Sequence, residues 1–283
     1  MSRIAVDGCE LHYELLGDGP LVVLTPGGRL EGNAVRATAE LLARRHRVVL
    51  WDRRNTGSSS VWFGPRQEQL VWADDLAELV RRLGLGPAHL VGASAGARVS
   101  YLTALRHPDV AAGLVVWSVS GGPYACQFLG YQYHVPFIEA ALRGGMEAVA
   151  DTAFFRERIS ANGANRERVL RIPVTDFLAA LRCWNEGYYW DPDRPVIGAT
   201  ADELRAIRCP TLVFDGNDDV HPHDAAAALH DLVPGAELAA SPWSREEFVD
   251  RLVGRVSETV MDLYPRLVPT VLDFLSGIEA RRG

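Results

Sequence analysis

The chain has 283 residues, of which 48% are hydrophobic and 23% charged, and a formal net charge of −7. That mix suits a globular chain able to bury a sizeable core and excludes disorder, while the acidic balance and scattered arginines offer no electrostatic footprint for nucleic acid. Length and composition together favour one large α/β domain carrying an insertion over two small domains.

Met1 to Val6 lacks the long apolar core of a signal peptide, and no apolar run reaches the length of a membrane span. The expected setting is therefore the cytoplasm, with no membrane partner. Cys9, Cys126, Cys183 and Cys209 are widely spaced and read as reduced, mostly buried thiols. Strand-length apolar runs fall at Leu11 to Leu15, Leu21 to Thr25, Arg47 to Trp51, Ala88 to Gly92, Ala112 to Trp117, Thr211 to Phe214 and Ala236 to Ala239. Helical stretches lie between them. Gln67 to Leu83 puts Leu70, Leu76, Leu79, Val80 and Leu83 on one face, and the C-terminal stretch does the same from Phe248 to Leu275, with Pro265 and Pro269 expected to interrupt it. This alternation predicts a mostly parallel sheet covered by helices on both faces.

Residues 122–195 break the alternation, with helix-like pieces and no convincing strand. Twelve of the 24 aromatic residues fall there, as expected of a helical lid over an apolar pocket, although such a lid also needs a small core of its own. The division expected is a core of 1–121 and 196–283 with a lid of 122–195.

Gly92-Ala93-Ser94-Ala95-Gly96 follows a strand and opens a helix. Gly-x-Ser-x-Gly alone is a weak pattern, but between a strand and a helix it predicts a sharp turn that exposes a strained serine hydroxyl to backbone N–H groups and the positive end of a helix dipole. With three further stretches the chain resembles the α/β-hydrolase superfamily over essentially its whole length. Thr25-Pro26-Gly27-Gly28-Arg29 stands where that family places an oxyanion-hole loop; Trp51-Asp52-Arg53-Arg54-Asn55-Thr56-Gly57-Ser58-Ser59 resembles its Asp-x-Arg-Gly-x-Gly-x-Ser turn, with Asn55 in a glycine position; Arg106-His107-Pro108-Asp109 resembles the end of the helix after the nucleophile, which makes His107 structural. The resemblance implies an eight-stranded sheet with the lid inserted after strand 6, Ser94 as nucleophile, and the Gly28 and Ala95 amides as oxyanion donors.

The same resemblance places the acid three residues after Gly216, at Asp219, with Asp218 as the alternative. A carboxylate is needed there to fix the tautomer of an imidazole and to stabilise its charge. The family's histidine should follow the eighth strand, yet Ser241-Pro242-Trp243-Ser244 stands there and no histidine follows His230. The chain thus resembles a branch of the superfamily in which a Pro-Trp segment replaces that histidine. A serine without a base is a poor nucleophile. His221, two residues past Asp219 in a loop opening onto the strand ends, is the expected substitute, with an exposed loop histidine as the alternative reading. Asp215, Asp218, Asp219, His221 and His223 would also suit zinc or iron, but the loop stands where the resemblance calls for an acid, so neither metal nor cofactor is assigned.

Arg29, His134, Trp184, Tyr188 and Trp243 are the expected pocket residues. The reading reached is an enzyme hydrolysing an ester, a lactone or a carbon–carbon bond beside a carbonyl in a small apolar metabolite. Lyase, cyclase or decarboxylase chemistry and a silent binding protein are the alternatives. The oligomeric state stays open, with a homodimer among the options.

Overall fold

A computed structural model describes residues 2–281. The strands are β1 (Ser2–Val6), β2 (Cys9–Leu16), β3 (Leu21–Thr25), β4 (Arg47–Trp51), β5 (Ala88–Ala93), β6 (Ala111–Trp117), β7 (Thr211–Phe214) and β8 (Glu237–Ala239). They form one sheet in the order β1-β2-β4-β3-β5-β6-β7-β8, antiparallel at the β1–β2 and β2–β4 pairs and parallel from β4 to β8. The expected eight-stranded, mostly parallel sheet is therefore present. β1 carries no apolar run in the sequence, because four of its five residues lie on the surface or half-buried.

Alternate residues of the central strands feed two cores, as the pleat requires. Val49 and Trp51 of β4, Leu90 of β5 and Leu114 and Val116 of β6 meet α2 (Glu68–Leu83) and α3 (Ala95–Arg106) on one face; α1 (Arg36–Leu42) lies opposite. There, Val48 and Leu50, Val91 and Ala93, and Val115 and Trp117 meet α1 and the C-terminal elements. The C-terminal stretch, expected to be interrupted at Pro265 and Pro269, is three pieces, α10 (Arg245–Leu252), a 3-10 segment (Val260–Leu267) and α11 (Val268–Ala280), with the first break already ahead of both prolines. Pro265 lies in the 3-10 segment and Pro269 in the first turn of α11, where a missing N–H costs no helical bond.

Between β6 and β7 the chain runs through α4 (Gly122–Ala150), α5 (Ala153–Ala161), α6 (Ala164–Leu170) and α7 (Val174–Glu186), followed by α8 (Ala201–Arg205); α9 (His223–Leu232) comes after β7. α4 breaks at Gly144–Gly145, whose backbone leaves the helical region. Phe137, Met146, Val149, Phe155, Phe177, Leu181 and Trp184 give these helices their own apolar core. Among the described residues no disulfide joins the cysteines expected to be mostly buried thiols: Cys9 and Cys126 are buried, and Cys183 and Cys209 half-buried. No helix among the described residues is long and apolar enough to cross a membrane.

Candidate active site

Ser94 sits between the end of β5 and the start of α3 with φ +51° and ψ −113°, a conformation that L-residues rarely adopt. Close packing holds it there. A Cβ on Gly96 would collide with the carbonyl oxygen of Thr25 and come within 2.7 Å of that of Pro26, and a Cβ on Gly92 would collide with the Gly96 carbonyl. Only glycine therefore lets β5, the turn and the β3 loop approach one another. The Ser94 amide donates to the Trp117 carbonyl of neighbouring β6 at 3.0 Å.

The β3 loop is fixed from behind. Arg53 Nη2 donates to the carbonyls of Gly28 at 2.9 Å and Leu30 at 3.3 Å, so these carbonyls turn inward toward the guanidinium. Arg158 of α5 donates to the Arg29 carbonyl at 2.8 Å and Arg29 itself pairs with buried Glu68. Asn55 has φ +66°, the left-handed backbone expected at a glycine position, and its side chain donates to Glu68 at 2.8 Å.

His221 reaches the serine. Its Nε2 lies 3.0 Å from Ser94 Oγ, and its Nδ1 lies 2.8 Å from Asp218 Oδ2. Asp218, not Asp219, thus holds the imidazole, which corrects the expectation that placed the acid three residues after Gly216. The cause is local. Asp218 Oδ1 accepts the Val220 amide at 2.8 Å and the His221 amide at 3.1 Å, an Asx-type turn that draws the carboxylate inward. Asp219 then points outward, 68% exposed, and accepts from Arg245 Nη2 at 2.8 Å. Burial by itself raises the Asp218 carboxyl, but the hydrogen bond and charge of His221 with the Val220 and His221 amides outweigh it and hold the group below the ordinary carboxylate range. The edge of Phe248 meets the His221 ring at 5.8 Å and closes its other side.

Ser94, Gly28, Asp218 and His221 open into one cavity of about 730 Å³, walled by aromatic and aliphatic side chains such as Phe128, Tyr133, Phe137, Phe154 and Tyr264. Of the five expected pocket residues only Arg29 lies on this wall. His134 is buried within α4, with Nδ1 2.9 Å from the Gly130 carbonyl, and burial pushes its pKa down to about 3, so it is a neutral core residue. Trp184 stacks on Phe63 and donates to the Arg66 carbonyl, while Tyr188 accepts from buried Arg98. Trp243 is buried behind the cavity, stacked on Phe248 at 6.0 Å, and so supports the residue that packs on His221 without reaching the cavity itself. An aromatic residue in the insertion gave no sequence sign of whether it faced the cavity or the helices' own core. His107 pairs with Asp74 on the surface of α2 and α3, and His223 with Asp215. Among the described residues no group of three or more His, Cys, Asp or Glu side chains is arranged to hold a metal ion.

Comparison with known proteins adds to this geometry. A profile of the alpha/beta hydrolase fold matches residues 20–250. The chain is 28% identical over 268 residues to "Putative carbamate hydrolase RutD" of Caulobacter sp. strain K31, covering 88% of this chain and 92% of that protein. Among solved structures it superposes on the enol-lactonase from Burkholderia xenovorans LB400 with a TM-score of 0.63 and 22% identity, over 97% of this chain and 100% of that one. It superposes likewise on a thermophilic esterase from Thermogutta terrifontis with a TM-score of 0.65 and 24% identity, over 98% and 99% of the two chains.

Proposed function

We propose, from the premise that this chain belongs to the α/β hydrolase fold family, that it is a serine hydrolase cleaving an ester, lactone or related acyl bond of a small, largely apolar metabolite. The observation that carries this reading is the continuous relay from Asp218 through His221 to Ser94 Oγ, with contacts of 2.8 and 3.0 Å, at the floor of the cavity. In this reading Ser94 Oγ attacks the carbonyl carbon as His221 Nε2 takes its proton. Asp218 keeps Nδ1 protonated and stabilises the imidazolium. The developing oxyanion lies against the Gly28 and Ala95 amides, at the N-terminus of α3 where negative charge is favoured. His221 then returns the proton to the leaving group, and water, activated by the same imidazole, releases the acid.

The case for lyase, cyclase or decarboxylase chemistry, or for a silent binding protein, rested on a serine without a base. A base 3.0 Å from the hydroxyl weighs against both. The helices of residues 122–195 act as a lid on a core of 1–121 and 196–283, a role supported by Phe128, Tyr133 and Phe137 on the cavity wall. The names of the relatives, a carbamate hydrolase, an enol-lactonase and an esterase, all describe acyl chemistry. Buried Cys9 and Cys126 suit a reducing cytoplasm.

A fluorophosphonate probe tests the reading. It should label the wild type at Ser94 and leave Ser94→Ala unlabelled, with short alkyl esters hydrolysed only by the former. No labelling together with no turnover across esters, lactones and carbamates overturns it.

A further inference from the structure

Arg29 follows the oxyanion-loop residue Gly28 directly, is only 8% exposed, and lies on the cavity wall with Ser94. Its guanidinium sits within 6 Å of four ring centres, at 5.5 Å from Tyr133 and 5.7 Å from Phe154 of the cavity wall, and at 5.8 Å from Trp72 and 5.9 Å from Trp184 behind. Aromatic faces stabilise a cation there but use none of its N–H donors. Nη2 donates to Glu68 at 2.5 Å, whereas the buried Nε has no hydrogen-bond partner among the described residues.

The surroundings sharpen the point. Glu68 is the buried carboxylate that feels Arg29, Arg53 and Arg98 together, and burial raises its own carboxyl despite them. Nε and Nη1 of Arg53 and Nε and Nη2 of Arg98 are also buried without partners among the described residues. Three guanidiniums act electrostatically on one carboxylate, which only Arg29 bonds directly, and leave an excess of positive charge around it that is costly unless an anion answers it. The carboxylates on the cavity wall do not answer it. Glu157 is bonded to Arg158 at 2.6 Å, Asp218 to His221 at 2.8 Å and Asp219 to Arg245 at 2.8 Å.

We propose that Arg29 is an anion-recognition site and that the substrate joins a carboxylate to its apolar body, within reach of the carbonyl at Ser94. This deepens the hydrolase reading and rests on it. The carboxylate accepts charge-assisted hydrogen bonds from a guanidinium already held in place by its aromatic neighbours, so little ordering accompanies binding. The cavity thereby selects a monoester or lactone of a dicarboxylic skeleton over a neutral one of equal size.

The test compares monoethyl esters of succinic, glutaric and adipic acids with analogues in which the free carboxylate is replaced by a carboxamide. For at least one chain length the wild type should prefer the carboxylate by about tenfold or more in kcat/KM, most of it in KM. Arg29→Gln should bring the ratio to within about twofold of unity, and Arg29→Lys, which keeps charge but not the planar fork, should retain part of it. The wild-type ratio needs no variant, so a misfolded substitution does not blunt the test. A wild type that treats the pair alike, or prefers the amide, overturns the proposal, as does an equal loss on both substrates in Arg29→Gln with the preference intact. If no ester is cleaved and fluorophosphonate leaves Ser94 untouched, the hydrolase reading has failed separately. Calorimetric titration with glutarate then decides the anion site: binding lost in Arg29→Gln sustains it, and no binding to the wild type ends it.

Discussion

The turn that carries Ser94 and the turn that carries Asp218 and His221 meet at 3.0 Å on the wall of one cavity, yet they are built by different means. The first depends on distant chain. Its shape is set by the carbonyls of Thr25 and Pro26 pressing on Gly96, and by the Trp117 carbonyl of β6 holding the Ser94 amide. The second is held mainly from within, because a single carboxylate caps the Val220 and His221 amides through Oδ1 and holds the His221 ring through Oδ2, with the segment after β8 adding contacts to Asn217 from Arg245 and the Trp243 carbonyl. In the proposed mechanism a nucleophile fixed by the β3 loop and β6 has little freedom to move along the sequence. The acid and base of that mechanism both come from the loop after β7, while Trp243 after β8 packs behind Phe248.

The largest effect expected is on catalysis, from the second turn. His221→Ala should lower kcat by about 10²–10⁴-fold with the fold intact, as general-base losses do. Asp218→Asn, which turns the imidazole tautomer around, should cost about as much. Ester turnover beside a thermal melt checks both, and near-normal rates in either would remove the turn from the mechanism. The Ser94 turn should fail differently, by losing stability. Gly96→Ala forces a methyl group against two backbone carbonyls and should destabilise the protein by about 1–3 kcal/mol or more, read as a fall in urea midpoint. An unchanged midpoint would mean that the turn is set locally after all.

The same contrast explains what the sequence could show. The Ser94 turn, the β3 loop and the Asp52–Ser59 turn were legible because close backbone packing admits few residues, so glycine and asparagine stand at fixed spacings. The strands buried on both faces were legible as continuous apolar runs, whereas β1, with its mostly unburied residues, was not. Asp218 stands second to Asp219 under the family spacing because that spacing takes no account of which carboxylate the local amides draw inward. The usable signal was physical: Asp218 lies three residues before a histidine, where its side chain can cap the intervening amides. The side chains expected to line the pocket were mostly illegible, because helical periodicity does not say which of two apolar surroundings a Trp or Tyr enters. His134, Trp184 and Tyr188 entered the interior instead of the cavity wall.

Acid titration separates the two turns more finely. Asp218 is held below its unfolded value, so its contribution to stability is complete above the ordinary carboxylate range, about pH 4, and is lost as pH falls through the depressed folded value. The gap in melting temperature between wild type and Asp218→Asn should therefore narrow on going from pH 7 to pH 3. A gap independent of pH would show that the carboxylate contributes through shape alone.

The smallest effect should come from the residue that family spacing selects. Asp219 is exposed and pairs with Arg245, itself 55% exposed, across water-accessible surface, and such pairs contribute less than about 1 kcal/mol. Asp219→Asn should accordingly keep near wild-type stability and kcat/KM, and salt should erase most of what difference remains. This small number is the sharpest test of the comparison, because Asp219 also lies on the cavity wall, one residue from Asp218. If Asp219→Asn proves as damaging as Asp218→Asn, the working acid stands at the family position and the turn must rearrange to deliver it. If only Asp218→Asn is damaging, one Asx-type turn carries both acid and base.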